Sequence, residues 1–229
     1  MNQPKLNLFQ AWYQFMDEGG IFMWVILAIW LVGVAIAVER LVRFHFYDVN
    51  AGKLFQEIQN NLVKNDLPGA VQACSNTQAL LAFVFRAGLK KIQWSAEHIQ
   101  HALDTAILEA IPKAEKRLNY LGLIANVSTL LGLLGTIQGL IESFSAVASA
   151  DPSEKAKLLA FGISKAMNTT ALGLVSAISI MVVHTFLTSK SEKMIGEMDE
   201  YTSKFIENFS HNKKSNTSNA TSSNNNKAA

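Results

Sequence analysis

The chain is 229 residues long, 49% hydrophobic and 17% charged, with a formal net charge of +2. It is too apolar for an ordinary soluble domain, too short for a large transporter, and lacks the charge excess that nucleic acid attracts. A single cysteine, Cys74, excludes an internal disulfide and a multi-cysteine metal site, and reads as a buried structural thiol.

Residues 1–20 form an N-terminal interfacial segment in which Leu6, Phe9, Trp12, Tyr13 and Met16 share one helical face, ended by Gly19 and Gly20. Ile21 to Val38 is unbroken apolar sequence, the centre of a first span over 21–43. Its Ala35-Ile36-Ala37 resembles a signal-peptidase site. Asp17 and Glu18 precede the run and Arg40 and Arg43 follow it, however, the reverse of the charge order in a cleaved signal, so the span is read as retained.

Residues 44–117 hold most of the mass outside the spans, as a helical domain. Leu54, Phe55, Ile58 and Leu62 have helical spacing, Pro68 and Gly69 punctuate, and Leu80 to Ile92 is a second helical pattern. Ser95 caps a third, with Ile99, Leu103, Ile107 and Ile111 on one stripe. No strand pattern competes. Because KAEKRLNYLG keeps helical register after Pro112, the sequence predicts a continuous rod from about Ala96 through Phe144, on the order of 70 Å long.

The second span, 118–144, is uncharged from Leu118 to Ile141, and Ala125, Ser128, Thr129, Gly132, Gly135, Thr136, Gly139 and Ser143 form one stripe of small and hydroxyl side chains. A short loop, 145–158, contains Asp151-Pro152-Ser153-Glu154, which has the pattern of a capped helix start. The third span, 159–188, repeats the stripe with Ala166, Thr169, Thr170, Gly173, Ser176 and Ala177. Small residues let membrane helices approach closely, and a row of hydroxyls on two helices suits a polar path. A helix over 189–208 and a polar, disordered tail over 209–229 complete the chain.

Basic residues orient the spans. Arg40, Arg43 and Lys53 follow the first, Lys113, Lys116 and Arg117 precede the second, and Lys190 and Lys193 follow the third, against Lys5, Lys155 and Lys157 on the other side. The N-terminus is therefore expected outside and the C-terminus in the cytoplasm. His184 reads as an interfacial hydrogen-bonder, and His98 with His101, three apart, as surface residues rather than a metal site.

The stretches ANVSTLLGLLGTIQGLIESF and GISKAMNTTALGLVSAISI, with AVERLVRF at the end of the first span, resemble the MotA/TolQ/ExbB proton channel family. The resemblance implies an all-α membrane protein of three transmembrane helices in the bacterial inner membrane, surrounded by lipid. It implies a homopentameric ring around a single-span partner similar to ExbD, TolR or MotB, which brings an essential aspartate, and no cofactor. Protons are the expected coupling ion and sodium the alternative. Thr136, in GLLGTIQG, and Thr170, in NTTALG, match the family's pore-lining threonines, with Ser128, Gly132, Gly139, Ala166, Gly173 and Ala177 completing the expected lining. Counted along the helices, the two hydroxyls lie roughly 9 and 5 Å outward of the membrane midplane.

One position departs from the family pattern. Where ExbB and TolQ carry a glutamate, this chain has Lys165, which either pairs with Glu142 or a partner's acid and tunes the pore, or, by preference, snorkels to the outer interface. The expected function is the ring-forming subunit of a proton-driven stator or energy-transducing complex. The alternative is a non-conducting scaffold around partner helices. An enzyme is not expected, since no nucleophile with a base and no paired acids lie in the spans.

Overall fold

The computed structural model describes residues 12–13, 15–17, 19–47, 50–64 and 66–225, with side chains as far as Phe209. Leu6 and Phe9 of the expected interfacial face lie outside this set. Among the described residues, seven helices of nine residues or more follow one another: α1 (Ile21–Tyr47), α2 (Ala51–Val63), α3 (Leu67–Ser75), α4 (Leu80–Lys90), α5 (Ala96–Glu115), α6 (Leu118–Ala148) and α7 (Lys155–Asn225). There is no strand among the described residues. Three helices, α1, α6 and α7, are long and apolar enough to cross a membrane. The protein is an all-α membrane protein.

The chain divides into two compact units. One comprises Leu41–Lys116 with Thr188–Ala229. Its core is built by the apolar stripes read from sequence: Leu54, Phe55 and Ile58 of α2, Phe85 of α4, and Ile99 and Leu103 of α5 are buried, together with Met198 and Phe205 of α7. Phe55 meets Phe85 at 6.0 Å between ring centroids and Tyr201 at 5.4 Å, and Phe85 meets Phe205 at 5.6 Å. Each such ring, fully buried, contributes about 1.5–3 kcal/mol.

Ser95 caps α5 as its spacing predicts, accepting from the His98 amide at 3.4 Å. The Pro68-Gly69 pair does not break the chain. Both lie in the first turn of α3, where proline sacrifices no helical hydrogen bond and the Asp66 carboxylate accepts from the Gly69 amide at 2.9 Å. Cys74 is buried, and burial pushes its thiol up to about 11.

The other unit comprises Met1–Arg40 with Arg117–Leu187, and so holds the apolar lengths of α1, α6 and α7. The expected rod from Ala96 is interrupted. Lys116 is extended at ψ 128° and Arg117 is left-handed at φ 64°, which ends α5 at Glu115 and restarts the helix at Leu118. Pro112, the only visible breaker, lies inside α5 and does not stop it. The Arg117 guanidinium, freed from the helix face, pairs with the Glu39 carboxylate.

Two further boundaries differ from the sequence reading. α7 starts at Lys155, because Asp151 accepts from the Glu154 amide in a preceding turn rather than capping the helix itself. It runs to Asn225, past the expected end near Asn208, with no glycine or proline after Gly196 to interrupt it. At the other end, Met16 is fully buried while Trp12 and Tyr13 are exposed and meet Trp24 edge-on.

Candidate functional site

α6 and α7 run antiparallel, face to face along their small stripes. A Cβ added at Gly173 would stand 2.8 Å from the Ser128 carbonyl oxygen and 2.9 Å from the Gly132 Cα; one at Gly135 would stand 2.2 Å from Thr169; one at Gly139, 3.0 Å from Ala166; one at Gly162, 2.3 Å from Ser143. Side chains larger than hydrogen would force these helices apart. Ser128, Gly132, Gly139, Ala166, Gly173 and Ala177 are all buried. Five of these six, all but Ala177, have a contact across this seam. Those five close two helices onto each other within the chain.

Thr136 and Thr170 are placed otherwise. Each sits one residue past a seam residue, Gly135 and Thr169, so each falls beside the seam and keeps partial exposure. On antiparallel helices equal offsets lie on the same flank. Gly135 faces Thr169 and Gly139 faces Ala166, which sets Thr136 and Thr170 at depths within about 3 Å of each other. The Thr170 hydroxyl donates to the Gly132 carbonyl at 3.1 Å, and the Thr136 hydroxyl to the Leu133 carbonyl at 2.6 Å. A carbonyl can only accept, so both hydroxyls have committed their proton and offer acceptor lone pairs to their surroundings.

α1 covers the opposite flank. A Cβ on its Gly33 would meet Ile124 and Ile180, and the Trp30 indole donates to Ser179 at 2.8 Å. On that flank Lys165 binds Glu142 at 2.6 Å, and the second Glu142 oxygen accepts from Gln138 at 3.0 Å. Lys165 also lies against Gly20, whose φ of +76° and lack of a Cβ let the turn before α1 pass close to it. Of the two readings of Lys165, the chain makes the internal pair. Thr169 adds a bond from its hydroxyl to the Gly19 carbonyl at 3.3 Å. The contributions of Gly20 and Trp30 have no counterpart in the sequence reading, since contacts of α1 leave no periodic mark on α6 or α7, and the Gln138 bond to Glu142 within α6 was not read either.

Two polar groups stand out for what they do not touch. Among the described residues the buried Ser128 hydroxyl has no hydrogen-bond partner. His184 is part-buried, its ring over Gly122, where a Cβ would stand 3.7 Å from Cε1 and Nε2. His98 and His101 approach hydroxyls on their own helix turns, Ser95 at 2.6 Å and Thr105 at 3.5 Å.

A family profile described as the MotA/TolQ/ExbB proton channel family matches residues 76–200, more than half of the chain. The chain belongs to the MotA/TolQ/ExbB proton channel family. Among its relatives, a biopolymer transport protein ExbB homolog of Methanothermobacter thermautotrophicus is 24% identical over 86% of this chain and 70% of the relative. The ExbB-like 3 biopolymer transport protein of a Synechocystis species is 30% identical over 72% and 79% of the two chains. The Tol-Pal system protein TolQ of Pseudomonas aeruginosa is 29% identical over 53% and 57%. The matched span of the family runs through the whole α6–α7 seam and both threonines.

Proposed function

We propose that this chain is the ring-forming subunit of an inner-membrane complex driven by the proton motive force, and that it conducts protons together with a single-span partner of the ExbD, TolR or MotB kind. The observation that carries this reading is the placement of Thr136 and Thr170 within about 3 Å in depth and on one flank, beside a seam too tight to admit anything else. Their free acceptor lone pairs suit a protonated carboxylic acid, so the partner's aspartate docks there in its neutral form, which hydrocarbon tolerates far better than the carboxylate. Neither threonine titrates usefully, which leaves the proton carrier on the partner. The basic residues at the span ends support an outside N-terminus and a cytoplasmic C-terminus. The bulky exposed faces of α6 and α7 suit contact with lipid or with neighbouring copies, and a homopentamer is the number the family resemblance implies.

A second reading, a non-conducting scaffold, draws on the Lys165–Glu142 pair, which places a base where ExbB and TolQ have an acid. Proton flux into liposomes decides between them. Wild-type complex that conducts, with loss of flux in Thr170→Val and in the partner's aspartate variant, supports conduction. A stable complex without flux under any imposed gradient supports the scaffold.

A further inference from the structure

The geometry points to His184 as the group that hands protons between the threonine pair and water at the inner end of the spans, an inference that rests on the conducting function proposed above. His184 lies two heptads beyond Thr170 on α7, with Ala177 midway, so the three share one helix face with about 40° of drift over about 21 Å. α6 lines the same flank. Thr129 stands two turns inward of Thr136, Asn126 follows about 4.5 Å on, and Gly122 closes the row directly beneath the imidazole. Thr129 and Asn126 are exposed on this flank, and the Thr129 hydroxyl donates to the Ala125 carbonyl at 3.2 Å. The gaps from the threonine pair to Thr129, from Thr129 to Asn126 and from Asn126 to the imidazole are roughly 10, 5 and 6 Å. Each is the reach of one to three hydrogen-bonded waters.

Gly122 matters because any side chain there would occupy the space against Cε1 and Nε2. Among the described residues neither ring nitrogen has a hydrogen-bond partner, so neither is committed to holding the fold. The other charged and titratable groups toward this end are Tyr120 on α6, Lys116 and Arg117 just before it, and Glu39, Arg40 and Arg43 on α1. Tyr120 precedes a seam residue, Leu121, and falls on the other flank; Arg117 is bound to Glu39, and Arg40 is buried. Lys190 lies farther along α7. No acid or base on α6 or α7 intervenes between Thr170 and His184.

A neutral imidazole accepts a proton at one ring nitrogen and donates from the other. The bare nitrogen takes a proton from a water of the file to give the imidazolium, the ring turns about its Cβ–Cγ bond, and the same nitrogen releases that proton to water at the inner end. The ring turns back neutral and in its starting tautomer, with one proton moved.

The test uses the complex with its single-span partner in liposomes under an imposed pH gradient, comparing wild type with His184→Ala, His184→Gln and Thr170→Val. Both His184 variants should assemble, conduct about tenfold less or worse, and lose the dependence of rate on inner pH that wild type shows. Free imidazole in the inner buffer should restore flux to His184→Ala and leave Thr170→Val inactive. His184→Ala conducting at the wild-type rate with the same pH dependence overturns the inference, as does an impaired variant that imidazole does not rescue. A wild-type complex with no flux above empty liposomes removes the conducting function itself and the inference with it.

Discussion

The Thr170 hydroxyl bridges to the Gly132 carbonyl at 3.1 Å, at the level where Gly132 and Gly173 bring two helix backbones into contact. The bond ties a candidate pore residue to the seam that positions it. Thr170→Val preserves shape and the seam while removing the acceptor. Proton-driven work should fall about tenfold or more, the factor that ~1.4 kcal/mol at the transition state carries, with complex mass unchanged by native mass measurement. Full activity in this variant would sink the assignment.

Glycines in α7 should differ sharply in tolerance. At Gly173 a Cβ meets backbone atoms at 2.8 and 2.9 Å, which cannot rotate away, so Gly173→Ala should cost about 1–3 kcal/mol and weaken assembly. At Gly196 nothing lies within 4 Å, and Gly196→Ala should stabilise α7 by up to ~1 kcal/mol through helix propensity alone. Thermal unfolding of the two variants in one detergent checks the opposite signs.

Arg117 occupies a left-handed conformation that a Cβ disfavours. Replacing it by alanine or by glycine removes the Glu39 pair equally, but only alanine retains the strain. The glycine variant should be about 1–2 kcal/mol the more stable of the two, by chemical denaturation. Equal stabilities would show that the break at Lys116–Arg117 relaxes without its special backbone.

Cys74 is a buried thiol pushed up to about 11, so its neutral form is the one the fold accommodates. A raised folded value means that its contribution to stability is fully present below the unfolded value near 9.0 and is lost as pH rises toward 11. Wild type should therefore lose on the order of 2 kcal/mol across that window. Cys74→Ala, weaker at pH 7 for want of packing, should show a flatter profile. Parallel pH profiles for the two would contradict the burial.

The spans, the helical class and the packing residues of the Leu41–Lys116 region were legible because burial imposes a period on the sequence, as in Leu54, Phe55 and Ile58. The small stripes on α6 and α7 were equally plain, but their meaning was not. Periodicity shows which residues share a face and is silent on what that face meets, so the contact of Ser128 and Gly132 with Gly173 needed the structure. Thr136 and Thr170 were found through the family motif, while their position beside the seam, and their spent hydroxyl protons, needed the register of two helices. The break at Arg117 left no trace, since neither glycine nor proline marks it, and Pro112, which reads as a breaker, sits comfortably in α5.

The Gly132–Gly173 contact also limits how the molecule can move. Where two backbones touch with no side chain between them, neither helix can screw past the other, because a shift of one residue turns a leucine or threonine by about 100° into space that only hydrogen fits. α6 and α7 are thus one mechanical part within the chain. Under the proposed function, any turning or sliding has to occur at the outer, leucine-rich faces, where surfaces can slip without unlocking a core.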